Sequence, residues 1–462
     1  MAELDEILRK YTDPATGSVH GATFIAVDSA GNTLYRGSSG GRTVDRSDPL
    51  TPETLTWIAS QSKLVTSVAV MQLVEKGLIG LDDDVRQVLP VLKDVKVLLG
   101  FEGDDQAVEP DLQSISKPGG GVDLGKMKPS GKPILEDVKG KITLRSGAPF
   151  LSLQLMSHTS GFCYDLSSPL LMKWSAAMGR TDNMFSGKIV RLLISASDQT
   201  DVETDDQSYS RKAHYIHCSI NQVEALTKQN LDTYMQENIW GPLGAKSTTF
   251  YPTKHFDPEP MPALHETAQR TDPAETGKAV ASKPATSLWP LSPRDAIGGA
   301  GLYSTADDYI KLLGCLLRGG GPLLKTESVD EMFRPQIGKL STEAFHTTVR
   351  NSGRDRLWSS STASAAATAA TAAATDGSAK EQGSVPAGHS LAGAVNLEDV
   401  PGRRQSGTVN WGGLPNLFWW VDRKGGMAGT LFNQIVPAGD PLCMELLVEL
   451  EEAAYKLKAQ KG

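Results

Sequence analysis

The stretch WIASQSKLVTSVAVMQLVEKG, residues 57–77, predicts a helix that is apolar on nearly every side. A helix of this kind belongs in a protein interior. Ser60 and Lys63 stand three residues apart at its start, so their side chains project from the same side. A lysine buried among apolar neighbours has a lowered pKa and can take the proton from a serine hydroxyl. The stretch therefore predicts acyl transfer through an ester on Ser60, with Lys63 as the base and helix N–H groups stabilising the anion.

The Ser-x-x-Lys spacing alone is a weak signal, because Ser114 and Lys117 show it too. Pro118 and the glycines at 119–121 follow that second copy, and they cannot continue a helix. The second copy is therefore set aside. For Ser60, the alternative interpretation is an N-cap serine followed by a lysine on the protein surface.

Four further stretches extend the signal along the chain. They are LMSHTSGFCYD at 155–165, MQENIWGPLGAKSTTF at 235–250, GGAGLYSTADDYIKLL at 298–313 and GTVNWGGLPNLFWWVD at 407–422. Together with residues 57–90, they resemble the serine β-lactamase and penicillin-binding-protein superfamily. Within it, the chain is most similar to class C-like carboxylesterases and the fungal transesterases of statin-type pathways. The resemblance implies an α/β (α+β) fold, in which an antiparallel sheet flanked by helices carries an inserted, mostly helical domain.

The resemblance also implies a tyrosine that faces Ser60 and Lys63 and relays protons between them and the leaving group. Tyr209 is the preferred candidate, because Tyr209-Ser210 keeps the Tyr-Ser pair of the family, although it stands about three residues early. Tyr215 is closer to the expected place and lacks the pair. Tyr164 is a third candidate, and it can equally be a packed loop aromatic beside the cleft.

Trp411-Gly412-Gly413 stands where β-lactamases carry Lys-Thr-Gly, and the resemblance makes it the strand beside the serine. Glycines let a strand backbone approach a bound ester closely. The backbone N–H groups of Leu414 and Ser60 would then form the oxyanion hole. Replacing the lysine by Trp411 removes an anchor for a substrate carboxylate, which favours neutral or bulky esters and thioesters. The alternative is that Trp411 belongs to a core cluster with Phe418, Trp419 and Trp420.

Turn-rich segments predict two hairpins, one near each end of the chain. Val19–Val27 and Thr33–Gly37 flank the first turn, and Asn416–Val421 and Met427–Asn433 flank the second. A closing helix is predicted at about 441–458. We therefore expect an α/β sheet domain built from 1–90 and 290–462 and a mostly helical domain from 91–289, with flexible insertions at 102–131 and 358–384.

Composition excludes several classes of partner. The 462 residues carry a net charge of −8, which argues against nucleic acid or an anionic membrane. The first ten residues lack an apolar signal core, and no run is long enough to span a bilayer. His214-x-x-His217 lacks a third ligand, so neither a metal nor a cofactor is predicted. The cysteines are far apart, as expected for reduced thiols in the cytoplasm, at positions Cys163, Cys218, Cys315 and Cys443.

Gly388-His-Ser-Leu-Ala392 offers a rival nucleophile, since it resembles the Gly-x-Ser-x-Gly elbow of α/β-hydrolases. That mechanism needs a histidine after the serine in the chain, and none follows Ser390. A glycine-rich strand turn is the preferred interpretation of this segment.

The sequence thus predicts a cytoplasmic serine acyltransferase or carboxylesterase that acts on a small ester or acyl thioester. Resemblance to the fungal transesterases implies an acyl carrier protein as donor and a hydroxyl on a secondary metabolite as acceptor. Two alternatives stay open: a β-lactamase or D-amino-acid peptidase, and a catalytically degenerate binding protein. The poor match around Tyr209 motivates the second alternative.

Overall fold

The computed structural model describes most of the chain outside the middle third. The described residues are 1–93, 95–103, 131–137, 141–144, 153–154, 156, 169–179, 194–195, 217–270, 281–284, 288–351, 355–359 and 384–461. Most of each predicted insertion, at 102–131 and at 358–384, lies outside these residues.

The helices begin and end close to the sequence signals. In the described part of the chain they are Ala2–Thr12 (α1), Ser62–Glu75 (α2), Pro169–Ala177 (α3), His217–Thr227 (α4), Leu231–Met235 (α5), Pro252–His255 (α6), Ala306–Leu317 (α7), Thr326–Phe333 (α8), Lys339–Asn351 (α9) and Pro441–Lys461 (α10). None of these helices has the length and apolarity that crossing a lipid bilayer requires.

The strands are short in the middle of the chain and longer near its ends. They are Gly21–Asp28 (β1), Thr33–Gly40 (β2), Thr56–Trp57 (β3), Lys96–Phe101 (β4), Pro133–Asp137 (β5), Ile142–Thr143 (β6), Leu153–Gln154 (β7), Ile194–Ser195 (β8), Ala268–Arg270 (β9), Ala281–Pro284 (β10), Tyr303–Ser304 (β11), Ala387–His389 (β12), Ala394–Asn396 (β13), Val409–Gly413 (β14), Leu417–Asp422 (β15), Met427–Phe432 (β16) and Ile435–Val436 (β17).

The main sheet joins the two ends of the chain. Its seven strands are antiparallel, in the order β12, β13, β14, β15, β16, β1, β2. β1 and β16 pair from Thr23 with Phe432 to Asp28 with Met427, so an early strand and a late strand lie side by side. The predicted antiparallel sheet is confirmed. The predicted strand boundaries were wrong by a few residues: the first hairpin consists of Gly21–Asp28 and Thr33–Gly40, and the second of Leu417–Asp422 and Met427–Phe432. Asn416 is outside its predicted strand because it has a left-handed backbone with φ +60° and belongs to the turn.

Side-chain alternation along the strands builds two apolar layers, one on each face of the sheet. On β1, Phe24 contributes to one layer and the adjacent Ile25 to the other. On β15, Trp420 and Trp419 divide in the same way. Helices α1 and α10 cover the Phe24 face, while α2 and α7 cover the Ile25 face.

Helix α2 is surrounded by protein, as its all-round apolar sequence predicts. Every residue from Ser62 to Leu73 is buried. Burying one valine or leucine side chain contributes about 2 kcal/mol. This packing fixes the N-terminal end of α2, and with it Ser60 and Lys63, against the sheet.

A buried ion pair ties α10 to the loop before β14. The Arg404 guanidinium donates to both carboxylate oxygens of Glu451 at 2.5 and 2.7 Å, and Arg403 lies 3.5 Å from the same carboxylate. All three side chains are at most 2% exposed. Two buried positive charges therefore share one carboxylate.

Neutralising this carboxylate should destabilise the protein strongly. We expect Glu451→Gln to lower the free energy of unfolding by about 3–5 kcal/mol, because two buried guanidinium groups lose their counter-charge. Urea denaturation measures the effect, with Glu445→Gln, an exposed position on the same helix, as the control. Equal, small losses in the two variants would contradict the prediction.

Candidate active site

Ser60 lies in a short turn that precedes α2. Residues Ala59–Gln61 form one 3-10 turn, and the α-helix itself begins at Ser62. The sequence predicted Ser60 inside the start of the α-helix, so the boundary differs by two residues. Ala59 has φ +45°, a conformation that a residue with a side chain rarely adopts. Strained backbone of this kind is concentrated at functional sites, where packing maintains it.

The structure brings Ser60 and Lys63 together. The Lys63 ammonium nitrogen donates to Ser60 Oγ at 2.7 Å and to the carbonyl oxygen of Gly299 at 2.7 Å. Lys63 is only 2% exposed, whereas Ser60 is partly exposed. Burial disfavours the charged form and lowers the pKa of Lys63 to about 7. A neutral amine that can accept the serine proton is therefore available near neutral pH.

The carbonyl groups of Gly298 and Gly299 face α2. Thr66 Oγ1 donates to Gly298 at 2.8 Å, one helical turn beyond the Lys63 contact to Gly299. The sequence offered only the GGAG run as a signal, and it did not indicate which carbonyl groups would accept these bonds. The two contacts hold α2 against the Gly298–Gly299 backbone and so fix the position of the Lys63 side chain.

A narrow cleft runs beside Lys63, and within the described part of the protein it is too tight for a water molecule. Lys63 therefore meets protein rather than solvent on this side, which agrees with its lowered pKa. The other residues that line the cleft are Met156, His389, Leu391, Ala392, Gly393 and Trp411.

The predicted oxyanion strand lies directly beside the serine turn. A Cβ atom added to Gly413 would lie 2.6 Å from the carbonyl oxygen of Ile58, so only glycine permits this approach. Gly412, Gly413 and Leu414 are partly exposed. The end of β14 therefore lies against Ile58, two residues before Ser60, and Leu414 directly follows this contact.

Trp411 differs from the aromatic side chains that follow it. Phe418, Trp419 and Trp420 are buried in the sheet layers, whereas Trp411 is partly exposed and lines the cleft next to Lys63. Its ring packs edge to face with that of His389 at a centroid distance of 5.4 Å. Trp411 thus lines the cleft beside Lys63 and also packs against both apolar layers of the sheet.

Ser390 is held in the tight turn between β12 and β13. Its hydroxyl donates to the carbonyl oxygen of Gly393 at 2.9 Å and accepts the N–H groups of Ala392 and Gly393, each at 3.2 Å. This arrangement is the glycine-rich turn preferred from the sequence, and it supports setting Ser390 aside as a nucleophile.

Three predicted tyrosines lie outside the described residues: Tyr164, Tyr209 and Tyr215. Ser114, Lys117 and His214 also lie outside them. Among the described residues, no group of three or more His, Cys, Asp or Glu side chains is arranged to hold a metal ion.

Sequence reasoning missed the amide side chains behind the oxyanion strand. Asn416 and Asn433 are buried and bond to the backbone around the turn after β14. An asparagine in a turn is too common to indicate such a role. The only available signal was the position of Asn416 two residues after Leu414.

The chain is similar to known proteins over nearly its whole length. The β-lactamase family model matches residues 4–448. Lovastatin esterase from Penicillium rubens is 28% identical over 456 residues, which cover 97% of this chain and 97% of that protein. Monacolin J acid methylbutanoyltransferase from Aspergillus terreus is 28% identical over 450 residues, which cover 95% of this chain and 92% of that protein. A mutant of simvastatin synthase from Aspergillus terreus has a solved structure that superposes with a TM-score of 0.73 at 26% identity, covering 100% of this chain and 98% of that chain.

The rate of acyl transfer through Ser60 should increase with pH, because it depends on the neutral form of Lys63. Only the neutral amine accepts the serine proton, and the pKa of Lys63 is about 7, so kcat/KM for an activated ester should rise as the pH increases through about 7 and then level off. A pH–rate profile from about pH 5 to about pH 9 measures this.

The matched variant is Lys63→Ala, which should lower kcat/KM by several orders of magnitude and leave the circular-dichroism spectrum unchanged. Near-normal activity in that variant, or a flat profile in the natural protein, would rule out Lys63 as the base.

Proposed function

This chain belongs to the β-lactamase family, and on that basis we propose that it transfers an acyl group through an ester on Ser60. The predicted family, fold class and enzyme class, a serine acyltransferase or esterase, are confirmed by the family match and by the relatives reported above. We propose that Ser60 is the nucleophile, that Lys63 is its base, and that the Ser60 and Leu414 N–H groups form the oxyanion hole.

The contact between Lys63 and Ser60 carries the proposal. In the proposed reaction, the neutral Lys63 amine takes the proton of Ser60 as Oγ bonds to the carbonyl carbon of the donor. The N–H groups of Ser60 and Leu414 stabilise the oxyanion. When the carbonyl re-forms, the donor's alcohol or thiol leaves with that proton. Water or an acceptor alcohol then attacks the carbonyl carbon of the acyl-Ser60 ester and gives its proton to the neutral Lys63 amine. Lys63 returns this proton to Ser60 Oγ as the ester bond breaks, which releases the product and restores Ser60.

A tyrosine completes the proposed relay, and Tyr209 is our preferred residue. Its support is the Tyr209-Ser210 pair in the sequence, with Tyr215 and then Tyr164 as the alternatives. A phenol beside the Lys63 amine can carry the proton to the leaving group.

The proposed substrates are neutral esters and acyl thioesters of a secondary metabolism. Trp411 lies beside Lys63 and offers an aromatic surface to the substrate. β-Lactamases carry a lysine at the position of Trp411, and that lysine would attract a substrate carboxylate. The names of the relatives point to statin-type compounds, lovastatin for one and monacolin J acid for another. We propose an acyl thioester, carried by a carrier protein, as donor and a metabolite hydroxyl as acceptor. The free thiols Cys315 and Cys443 support a reducing, cytoplasmic location.

A fluorophosphonate probe should attach to Ser60 and to no other serine. Intact-mass analysis should show one adduct, peptide mapping should place it on Ser60 rather than Ser390, and Ser60→Ala should remove it. A protein that forms no adduct on Ser60 is the degenerate binding protein, and the proposed function is then wrong.

The same preparation tests the proposed substrates. An acyl thioester offered with monacolin J acid should give an acylated product by mass spectrometry, and lovastatin offered alone should be hydrolysed if water is the better acceptor. If the probe labels Ser60 but neither of these two reactions is observed, the proposed substrate class is wrong.

The β-lactamase alternative predicts the opposite substrate preference. We expect a short-chain nitrophenyl ester to be hydrolysed faster than a chromogenic cephalosporin, because Trp411 offers no cation for the cephalosporin carboxylate. The ratio of the two kcat/KM values measures this. A ratio in favour of the cephalosporin would reverse our ranking.

A further inference from the structure

The turn after β14 needs a fixed position, because it carries the proposed oxyanion donor. Gly413 ends the strand and Leu414 follows it. The close approach of Gly413 to the Ile58 carbonyl shows that this turn presses against the segment leading to Ser60. Displacing a catalytic group by about 1 Å can lower a rate about a hundredfold. The groups that fix this turn therefore influence the rate.

Asn416 fixes the far end of the turn. Its backbone N–H donates to Gly413 at 3.0 Å, and its left-handed φ of +60° is one that asparagine tolerates. The side-chain nitrogen donates to the carbonyl groups of Ile435 and Pro437, both at 2.8 Å. The side-chain oxygen accepts the N–H groups of Gly439 and Asp440 at 2.9 and 3.0 Å. All four hydrogen-bonding positions of this amide are used.

Asn433 fixes the middle of the same turn. With its amide oriented to satisfy the surrounding acceptors, the nitrogen donates to the carbonyl groups of Pro415 at 2.8 Å and Asn416 at 2.9 Å. The backbone N–H of Ile435 adds a bond to Pro415 at 3.0 Å. Asn433 is fully buried directly after β16. The turn is thereby attached to the end of a central strand of the sheet.

Gln434, the next residue, binds the strand that leads to Ser60. Its amide nitrogen donates to the carbonyl oxygen of Trp57 at 2.9 Å, and its amide oxygen accepts the hydroxyl of Thr267 at 3.0 Å. Trp57 lies in β3, three residues before Ser60. Neighbouring residues of one segment therefore hold both the turn of Leu414 and the strand that leads to Ser60.

We propose that Asn416, Asn433 and Gln434, here called the amide clamp, are positioning residues that hold the Leu414 and Ser60 N–H groups at one separation. The inference rests on the proposed function, since it takes these two groups as the oxyanion donors. Donors that are already aimed at the developing charge need no reorganisation during the reaction. The clamp supplies that fixed geometry without touching the substrate.

Asn433→Ala tests the clamp and leaves the reacting groups in place. Its matched control is Asn396→Ala, because Asn396 is also fully buried and its amide nitrogen also donates to two backbone carbonyl groups. Those carbonyl groups, of Glu398 and Gln405, lie at 2.8 Å in a loop away from the turn of Leu414. The measurements are kcat and KM for an activated ester, the Ki of an arylboronic acid that forms a tetrahedral adduct with Ser60, and the unfolding midpoint.

We expect Asn433→Ala to lower kcat about tenfold or more with KM nearly unchanged, and to raise the Ki of the boronic acid by a similar factor. The pH inflection near 7 should remain, because Lys63 keeps its surroundings. Asn396→Ala should lose comparable stability and change kcat by less than about twofold. If Asn433→Ala does not fold, Gln434→Met takes its place against the same control.

Equal kcat values in the clamp variant and the control, or an unchanged Ki of the boronic acid, would contradict the proposed positioning role of the amide clamp. Labelling of the natural protein separates this failure from that of the proposed function. If Ser60 accepts the fluorophosphonate and the variants behave alike, only the clamp is wrong. If Ser60 accepts no probe, both the proposed function and the clamp are wrong.

Discussion

The site depends on an amine kept away from water. Lys63 lies among the apolar side chains of α2, and its neutral form is favoured there because burial lowers its pKa to about 7. Each unit of pKa shift corresponds to about 1.4 kcal/mol, so the rest of the fold must offset a considerable cost. The two apolar layers of the sheet supply that stability. The apolar residues of α2 therefore serve the chemistry as well as the core.

The candidate site is assembled on rigid elements. Lys63 lies in the first turn of a helix enclosed by protein, Ser60 lies in the 3-10 turn that leads into it, and Leu414 follows a strand of the main sheet. The segment after β16 is hydrogen-bonded to both sides. Sites placed on helices and strands hold catalytic geometry better than sites placed on loops. This arrangement suits a reaction whose rate depends on the distance between two backbone N–H groups.

The elements with strong local signals could be predicted from the sequence. Helix α2 is apolar on all sides, and the turn at 28–32 begins with Asp28, whose carboxylate accepts the N–H groups of Ala30 and Asn32. The contact of Ser60 with Lys63 could be predicted from their spacing together with the apolar helix that follows. The positive φ of Ala59 and the bonds of Asn416 could not be predicted, because distant segments impose them. Alanine carries no local signal for a positive φ, and the sequence around Asn416 does not indicate which distant backbone groups its amide binds. The choice among Tyr209, Tyr215 and Tyr164 remains a prediction, since each rests on sequence alone.

The pairing of β1 with β16 also has a consequence for how the molecule is made. Ser60 leaves the ribosome early, whereas β14, Leu414 and Asn433 emerge only near the end of translation. The sheet cannot form until then, because β1 pairs with β16 and five of the seven strands, β12 to β16, come from the last part of the chain. A nascent chain therefore carries the proposed nucleophile, Ser60, for most of its synthesis without Leu414, the proposed partner in the oxyanion hole. If the proposed function holds, acyl transfer can begin only when the polypeptide is almost finished.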